Sequence, residues 1–198
     1  MNANMNLFFL SMDPKEAAKF HCNKHVVKMI LETVQMLYTA HHHNSEDGWE
    51  KFFLDRGLTP YKPFGPKHPT TRWVSETLHN YRYALVLVRE LCLEKRRRWP
   101  LNEPHSCEPH IRALIEEFSQ GLYKVSLQKT FEHRKVIEEY CDKNNGMCSY
   151  SAPNLTPLPL AMTKYPECYK ETAVESYREY YRVAKSYFVK WPVKPDWF

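Results

Sequence analysis

Five polar residues able to move protons, hold anions or ligate metals recur at helical spacing near the N-terminus: His21, His25, Lys28, Glu32 and Gln35. On a wheel advancing about 100° per residue, with His21 at zero, the other four fall between about −40° and +40°. They share one stripe. The rest of the circumference is mostly apolar, from Ala18, Phe20, Cys22, Val26, Val27, Met29, Ile30, Leu31, Val34 and Leu37. A surface helix has the opposite proportions, one apolar stripe under a broad polar face. This helix is therefore expected to be largely buried, its polar stripe lining a cleft or an internal network. Burial and mutual charge shift the pKa values of such groups. His21, His25, Lys28 and Glu32 form the candidate catalytic set. Glu32 and His25 are its acid/base candidates, and Lys28 is an imine nucleophile or a phosphate clamp. The blander alternative is a satisfied interior network, with Lys28 paired to Glu32 at i,i+4.

His21 and His25 also have the i,i+4 spacing of metal ligands. Cys22 stands where the HExxH motif needs its glutamate, and Lys28 on the same face opposes a nearby dication. No metal and no other cofactor is predicted. A divalent cation on His21 and His25, with Glu32 and His68 as further ligands, is the weaker alternative.

Other groups suit phosphate. Lys95, Arg96, Arg97 and Arg98 form the densest basic run. They are either cations favoured by a helix C-terminus or phosphate contacts. Arg178, Arg182 and Lys185 lie at i, i+4 and i+7 beside Tyr177, Tyr180, Tyr181, Tyr187 and Phe188. Such a stripe can stack bases and bind backbone phosphates, although aromatic stripes at helical spacing are more often core. Asn80 is a helix–helix hydrogen bond or a site residue. His68 would border the pocket of the first helix. The candidate nucleic-acid or phosphate contacts are thus His68, Asn80, Lys95, Arg96, Arg97, Arg98, Arg178 and Arg182. His41, His42 and His43 cannot all face one point from a helix, and read as the solvated start of a loop.

The elements that must position these groups are mainly helical. Residues 6–12 read as a short extended segment. Asp13-Pro14-Lys15-Glu16 is a capping box with proline at the first helical position, and the pattern runs over 13–42. A second long helix is expected over 69–99, stopped by Pro100. Shorter helices follow over about 108–120 and 126–141. Thr172-Ala173-Val174-Glu175 is another capping box, opening a last helix that Pro192 ends. Residues 43–68 are a loop, and 142–170 a proline-rich but packed one. The expected fold is mainly α: a single domain over 1–198 of about five helices, two of them long. Residues 1–5 are an N-terminal extension and 192–198 an aromatic tail, which packs on the body or joins a second copy as a homodimer.

Composition excludes several classes. Of 198 residues only 5 are Gly, and no GxGxxG or GxxxxGK[ST] is present, so phosphate loops lose their support. A hairpin-rich all-β fold also needs more turn glycines. The apolar run Leu7–Leu10 is too short for a membrane span or a signal-peptide core, so no membrane partner and an intracellular chain are expected. Six Cys without CxxC spacing read as free thiols. A net charge of +5 is mild for a DNA-condensing protein.

Asn6-Leu7-Phe8, Asp13-Pro14, Ala17-Ala18 and the run His21-Cys22-Asn23-Lys24-His25-Val26-Val27-Lys28-Met29 together resemble a family of small proteins from tailed phages and large double-stranded DNA viruses, those of amoebae among them. Further matches are His68-Pro69 with Trp73, Asn80-Tyr81, Leu155-Thr156-Pro157 with Ala161-Met162, and Tyr177-Arg178 with Tyr180-Tyr181. The likeness spans most of residues 5–190. It implies a setting rather than a reaction: host cytoplasm, viral factory or virion, with nucleic acid nearby. The chain departs from the phage-like pattern in its first four residues and in an enlarged segment from about Arg112 to Cys148. A fainter likeness of layout is to phage-type pyrimidine-dimer DNA glycosylases. Their nucleophile is an N-terminal amine, for which Lys28 or Lys24 would have to substitute here.

The leading expectation is a viral protein that binds or processes DNA, glycosylase/lyase-like or nuclease-like, through the His/Lys/Glu stripe. One alternative is a non-enzymatic virion or accessory protein that coats DNA through Lys95–Arg98 and the last helix. Another is an enzyme acting on a nucleotide or a phosphorylated metabolite.

Overall fold

The computed structural model describes residues 6–144, 146–149 and 154–198; the extension expected over residues 1–5 lies outside these. The fold is mainly helical. Its helices are α1 (Pro14–Phe20), α2 (Asn23–Asn44), α3 (Lys51–Leu54), α4 (Pro69–Glu76), α5 (Leu78–Arg98), α6 (Glu108–Ser119), α7 (Leu127–Lys143) and α8 (Ala173–Tyr180). A π turn, Tyr181–Lys185, continues α8. Two short antiparallel strands, β1 (Cys148–Ser149) and β2 (Leu158–Pro159), pair Cys148 with Pro159 and Ser149 with Leu158. Among the described residues no helix is long and apolar enough to cross a membrane.

α5 is the central element, packing on both α1 and α2, while α4 packs on α2 and α7. Residues 7–10 thread into this body with Leu7, Phe9 and Leu10 fully buried. Phe9 stacks on Tyr83 at 4.5 Å and meets Trp73 edge-on at 5.1 Å. Both expected N-caps form, but only the second as a full box; at α1 Glu16 accepts from the Ser11 hydroxyl at 2.8 Å instead of reaching back to Asp13. Asp13 accepts from the Lys15 N–H, and Thr172 and Glu175 close a reciprocal capping box.

Both long helices expected from the sequence are broken, the first by a distant side chain and the second by side chains of its own segment. The helix expected over 13–42 ends at Phe20 and restarts at Asn23, with His21 and Cys22 extended. In an unbroken helix the carbonyls of Lys19 and His21 would accept from the N–H groups of Asn23 and His25. Here Arg98 donates to both carbonyls, at 2.8 and 2.9 Å, and Asn23 N–H turns to the Lys190 carbonyl at 2.8 Å. The helix expected over 69–99 breaks at Thr77, whose hydroxyl caps the Asn80 N–H at 3.1 Å. The Trp73 carbonyl, which an unbroken helix would pair with Thr77, accepts from the Asn80 side chain at 2.8 Å. α2 also runs two residues beyond the expected end and absorbs the three histidines.

Candidate functional site

The break at His21–Cys22 removes His21 from the stripe. His21 ends α1, its Nδ1 2.7 Å from the Ala17 carbonyl oxygen. It is fully buried, and burial pushes its pKa down to about 4. His25, Lys28, Glu32 and Gln35 remain on α2. Their environments diverge. His25 is buried, stacked on Phe8 at 4.6 Å, and shares a 2.5 Å hydrogen bond with the Tyr181 hydroxyl. Burial, then the charges of His21, Lys185, Lys28 and Lys24, hold it neutral with a pKa lowered to about 2. An imidazole so placed is a poor proton carrier near neutrality. His25 thus orients Tyr181 and anchors the helix.

Glu32 is the better acid/base group. One carboxylate oxygen pairs with Lys28 at 2.9 Å, and the other is buried, with the Asn6 backbone N–H nearby but outside hydrogen-bond geometry. Desolvation raises its pKa, against the lowering pull of Lys28 and of the Asn6 backbone N–H. The Lys28 side chain is half exposed. The stripe therefore leads from solvent at Lys28 inward to a carboxyl with one free oxygen.

Three lysines converge over this end of α2. The charges of Lys24, Lys28 and Lys185 all lower the His25 pKa, and the Phe188 ring beside Lys24 also meets His25 edge-on at 5.3 Å. Lys24 lies over the Phe188 ring at 5.1 Å and Lys185 over the Tyr180 ring at 4.9 Å. Neither has a carboxylate partner among the described residues. Tyr187 beside them is largely exposed. Lys24 was visible in the sequence beside His25, but the meeting of α2 with the π turn was not.

The remaining candidates are spent elsewhere in the fold. Arg98 is only 4% exposed and donates to Glu94 and Asn23 as well as to the two carbonyls of the break. Lys95 donates to the Glu103 carbonyl at 2.6 Å, while Arg96 pairs with Glu108 and Arg97 with Glu94. Asn80 is fully buried and clasps Thr156, its Nδ2 2.6 Å from Thr156 Oγ1. Glu76 joins that clasp, receiving Thr156 at 2.6 Å and Arg134 at 2.6 and 2.7 Å. Asn80 is thus part of a satisfied structural network. His68 caps α4 by accepting from the Thr70 N–H, and burial alone lowers its pKa to about 4. Arg178 donates to the Leu10 carbonyl at 2.9 Å and Arg182 to the Trp197 carbonyl at 2.8 Å. The aromatic tail folds onto its own chain, with Trp191 donating to the Phe20 carbonyl at 2.8 Å. Among the described residues no three His, Cys, Asp or Glu side chains are grouped to hold a metal.

The reading of His41–His43 as a solvated loop start is corrected. His41 is fully buried, stacked on Trp49 at 4.9 Å, with Nε2 2.9 Å from the Tyr81 hydroxyl. His43 meets Ser75 at 3.0 Å; His42 alone is exposed. The sequence missed Glu117, which lies 3.7 Å from His41 Nε2 and lines a cavity of about 580 Å³ with Asn44, Trp49 and Lys124. Its Oε2 is buried without a hydrogen-bond partner, and desolvation raises its pKa to about 7. The unfolded chain ionises near 4.5. Between these values the unfolded state gives up a proton that the folded state keeps, so stability falls as pH rises from 4.5 to 7. Glu117→Gln should raise stability at pH 8 by up to about 3 kcal/mol, measured by urea denaturation. The gain should shrink below pH 6; a destabilised variant at pH 8 would show that Glu117 has a partner when charged.

Comparison with family models, curated proteins and solved structures finds no match to this chain.

Proposed function

We propose that the protein binds nucleic acid on the face built by Lys24, Lys28 and Lys185 with Tyr187 and Phe188, and processes the bound strand by acid/base chemistry at Glu32. The observation that carries this is the convergence of three lysines and aromatic rings beside a carboxyl with a raised pKa and one unpartnered oxygen. Several ammonium groups on one face can neutralise backbone phosphates. The exposed Tyr187 ring beside them offers a face on which an unpaired base stacks. Single-stranded or locally opened DNA fits better than an intact duplex, because stacking needs exposed base faces. Glu32 carries the proton step, and Lys28 holds the anion or the developing negative charge beside it. A viral setting, in the host cytoplasm or the virion, belongs to the same proposal.

Fluorescence anisotropy with a labelled single strand tests the binding. Lys24→Glu with Lys185→Glu should weaken it at least about tenfold and flatten the slope of log K against log salt by about 1.4, from two lost phosphate contacts. Unchanged affinity would end the proposal. Glu32→Gln tests the chemistry: it should leave affinity within about twofold and abolish conversion of damaged or single-stranded DNA. The alternative of a DNA-coating protein acting through Lys95–Arg98 has less in its favour, because that run is engaged by Glu94, Glu103 and Glu108.

A further inference from the structure

Cys141, in the last turns of α7, and Cys148, in β1, bring their Sγ atoms to 3.3 Å. Both are free thiols, and Cys22, Cys92, Cys107 and Cys168 are free and buried. The approach is built by the chain. The Gly146 N–H donates to the Cys141 carbonyl at 2.7 Å, and Leu160 N–H donates to the Met147 carbonyl at 2.8 Å. A side chain at position 146 would meet the Cys141 Cα at 3.0 Å. The turn that returns Cys148 to α7 therefore needs the small residue it has.

We infer that Cys141 and Cys148 are a redox modification site, a dithiol that a small-molecule disulfide such as oxidised glutathione closes to a disulfide bond. Cys148 is the more accessible of the two and Cys141 the more buried. The pair is also electrically asymmetric. The hydrogen bond from Cys141 and the charge of Arg134 favour the Cys148 thiolate, while Cys141 is pushed up. Cys148 thus attacks first. Its thiolate sulfur bonds to one sulfur of the oxidant and releases the other half as a glutathione thiolate. Cys141 then loses its proton and attacks Cys148 Sγ, releasing the second glutathione thiolate. The released thiolates take up the two protons that the pair gives up, so two protein thiols and one oxidised glutathione become one protein disulfide and two reduced glutathiones.

The bond would tie α7 to the β1–β2 hairpin. That hairpin leads directly from Thr156 and Pro157, which Asn80, Glu76 and Arg134 hold at the break between α4 and α5. Oxidation would brace the segment that fills the break. A short loop closed this way typically gains a few degrees in Tm.

The test equilibrates the whole protein with glutathione buffers of increasing oxidised fraction, alkylates it in denaturant and maps the peptides. Two of the six thiols should be lost together, the mass should fall by two hydrogens, and one peptide should link residues 141 and 148. Dithiothreitol should reverse all three changes. Cys141→Ser should stop at a mixed disulfide carrying one glutathione on Cys148, and its Tm should not rise on oxidation. The inference is overturned if both cysteines remain alkylatable in fully oxidised glutathione, or if the bridge joins any of the four other cysteines. The peptide map of the unaltered protein decides this even if Cys141→Ser fails to fold.

Discussion

Acidifying a solution of the protein from pH 7 to pH 5 should unfold it. His21, His25, His41 and His133 are each 5% exposed or less. Burial, the largest cause in every case, lowers their pKa values to about 4, 2, 3 and 4. In the unfolded chain they titrate near 6.5. Below 6.5 the unfolded state therefore binds protons that the folded state refuses, and stability falls with pH. At pH 5 each such histidine has cost about 2 kcal/mol, about 8 kcal/mol together. That compares with the roughly 5–15 kcal/mol of a typical domain. Glu117, with its raised pKa, works in the opposite direction and returns at most about 3 kcal/mol. The half-buried His43 and His68 are displaced in the same direction as the four and add to the loss. Circular dichroism and tryptophan emission followed against pH should show one transition near pH 5. A protein still folded at pH 4 would mean that these imidazoles find partners for a second proton.

Replacing Arg98 should be the most damaging substitution in the basic run. Its guanidinium is nearly sealed from solvent and donates to the Lys19 and His21 carbonyls, to Asn23 Oδ1 and to Glu94. Arg98→Ala strips those acceptors of their donors and leaves the Glu94 carboxylate, itself 9% exposed, with Arg97 alone. Breaking a buried pair of this kind costs about 3–5 kcal/mol. For a chain of this length that lowers Tm by roughly 10 °C. Arg98→Lys should rescue little, since one ammonium cannot replace a fork that reaches separate acceptors. Arg97→Ala, at a site half open to solvent, should change Tm by no more than a degree or two. Thermal melts of the three variants check this. Arg98→Ala, assayed below its own Tm, should keep its affinity for single-stranded DNA, because no phosphate contact has been lost. If Tm is unchanged and affinity falls, Arg98 is a binding residue and its role at the break is wrong.

How far the sequence could be read depends on the range of the forces involved. Helical content, the Asp13 and Thr172 caps and the apolar burial of α2 were legible, because capping geometry and hydrophobic period act within a few residues. Lys28 and Glu32 were legible as a pair for the same reason, standing one turn apart. The breaks at His21 and Thr77 were not. No glycine or proline marks them, and the wheel drawn through His21 assumed hydrogen bonds that Arg98 intercepts from another helix. The same arginine looked like a phosphate ligand because its run is basic, and only the carbonyls it meets reveal its use. His41 looked solvated in a polar triplet, yet α2 extends far enough to bury it against Trp49, Tyr81 and Glu117. The convergence of Lys24 and Lys28 with Lys185, and of Cys141 with Cys148, likewise required the chain to return on itself. Local chemistry set which residues could act. Long-range packing, by removing water from some and leaving others open, decided which of them retain a free donor, acceptor or charge.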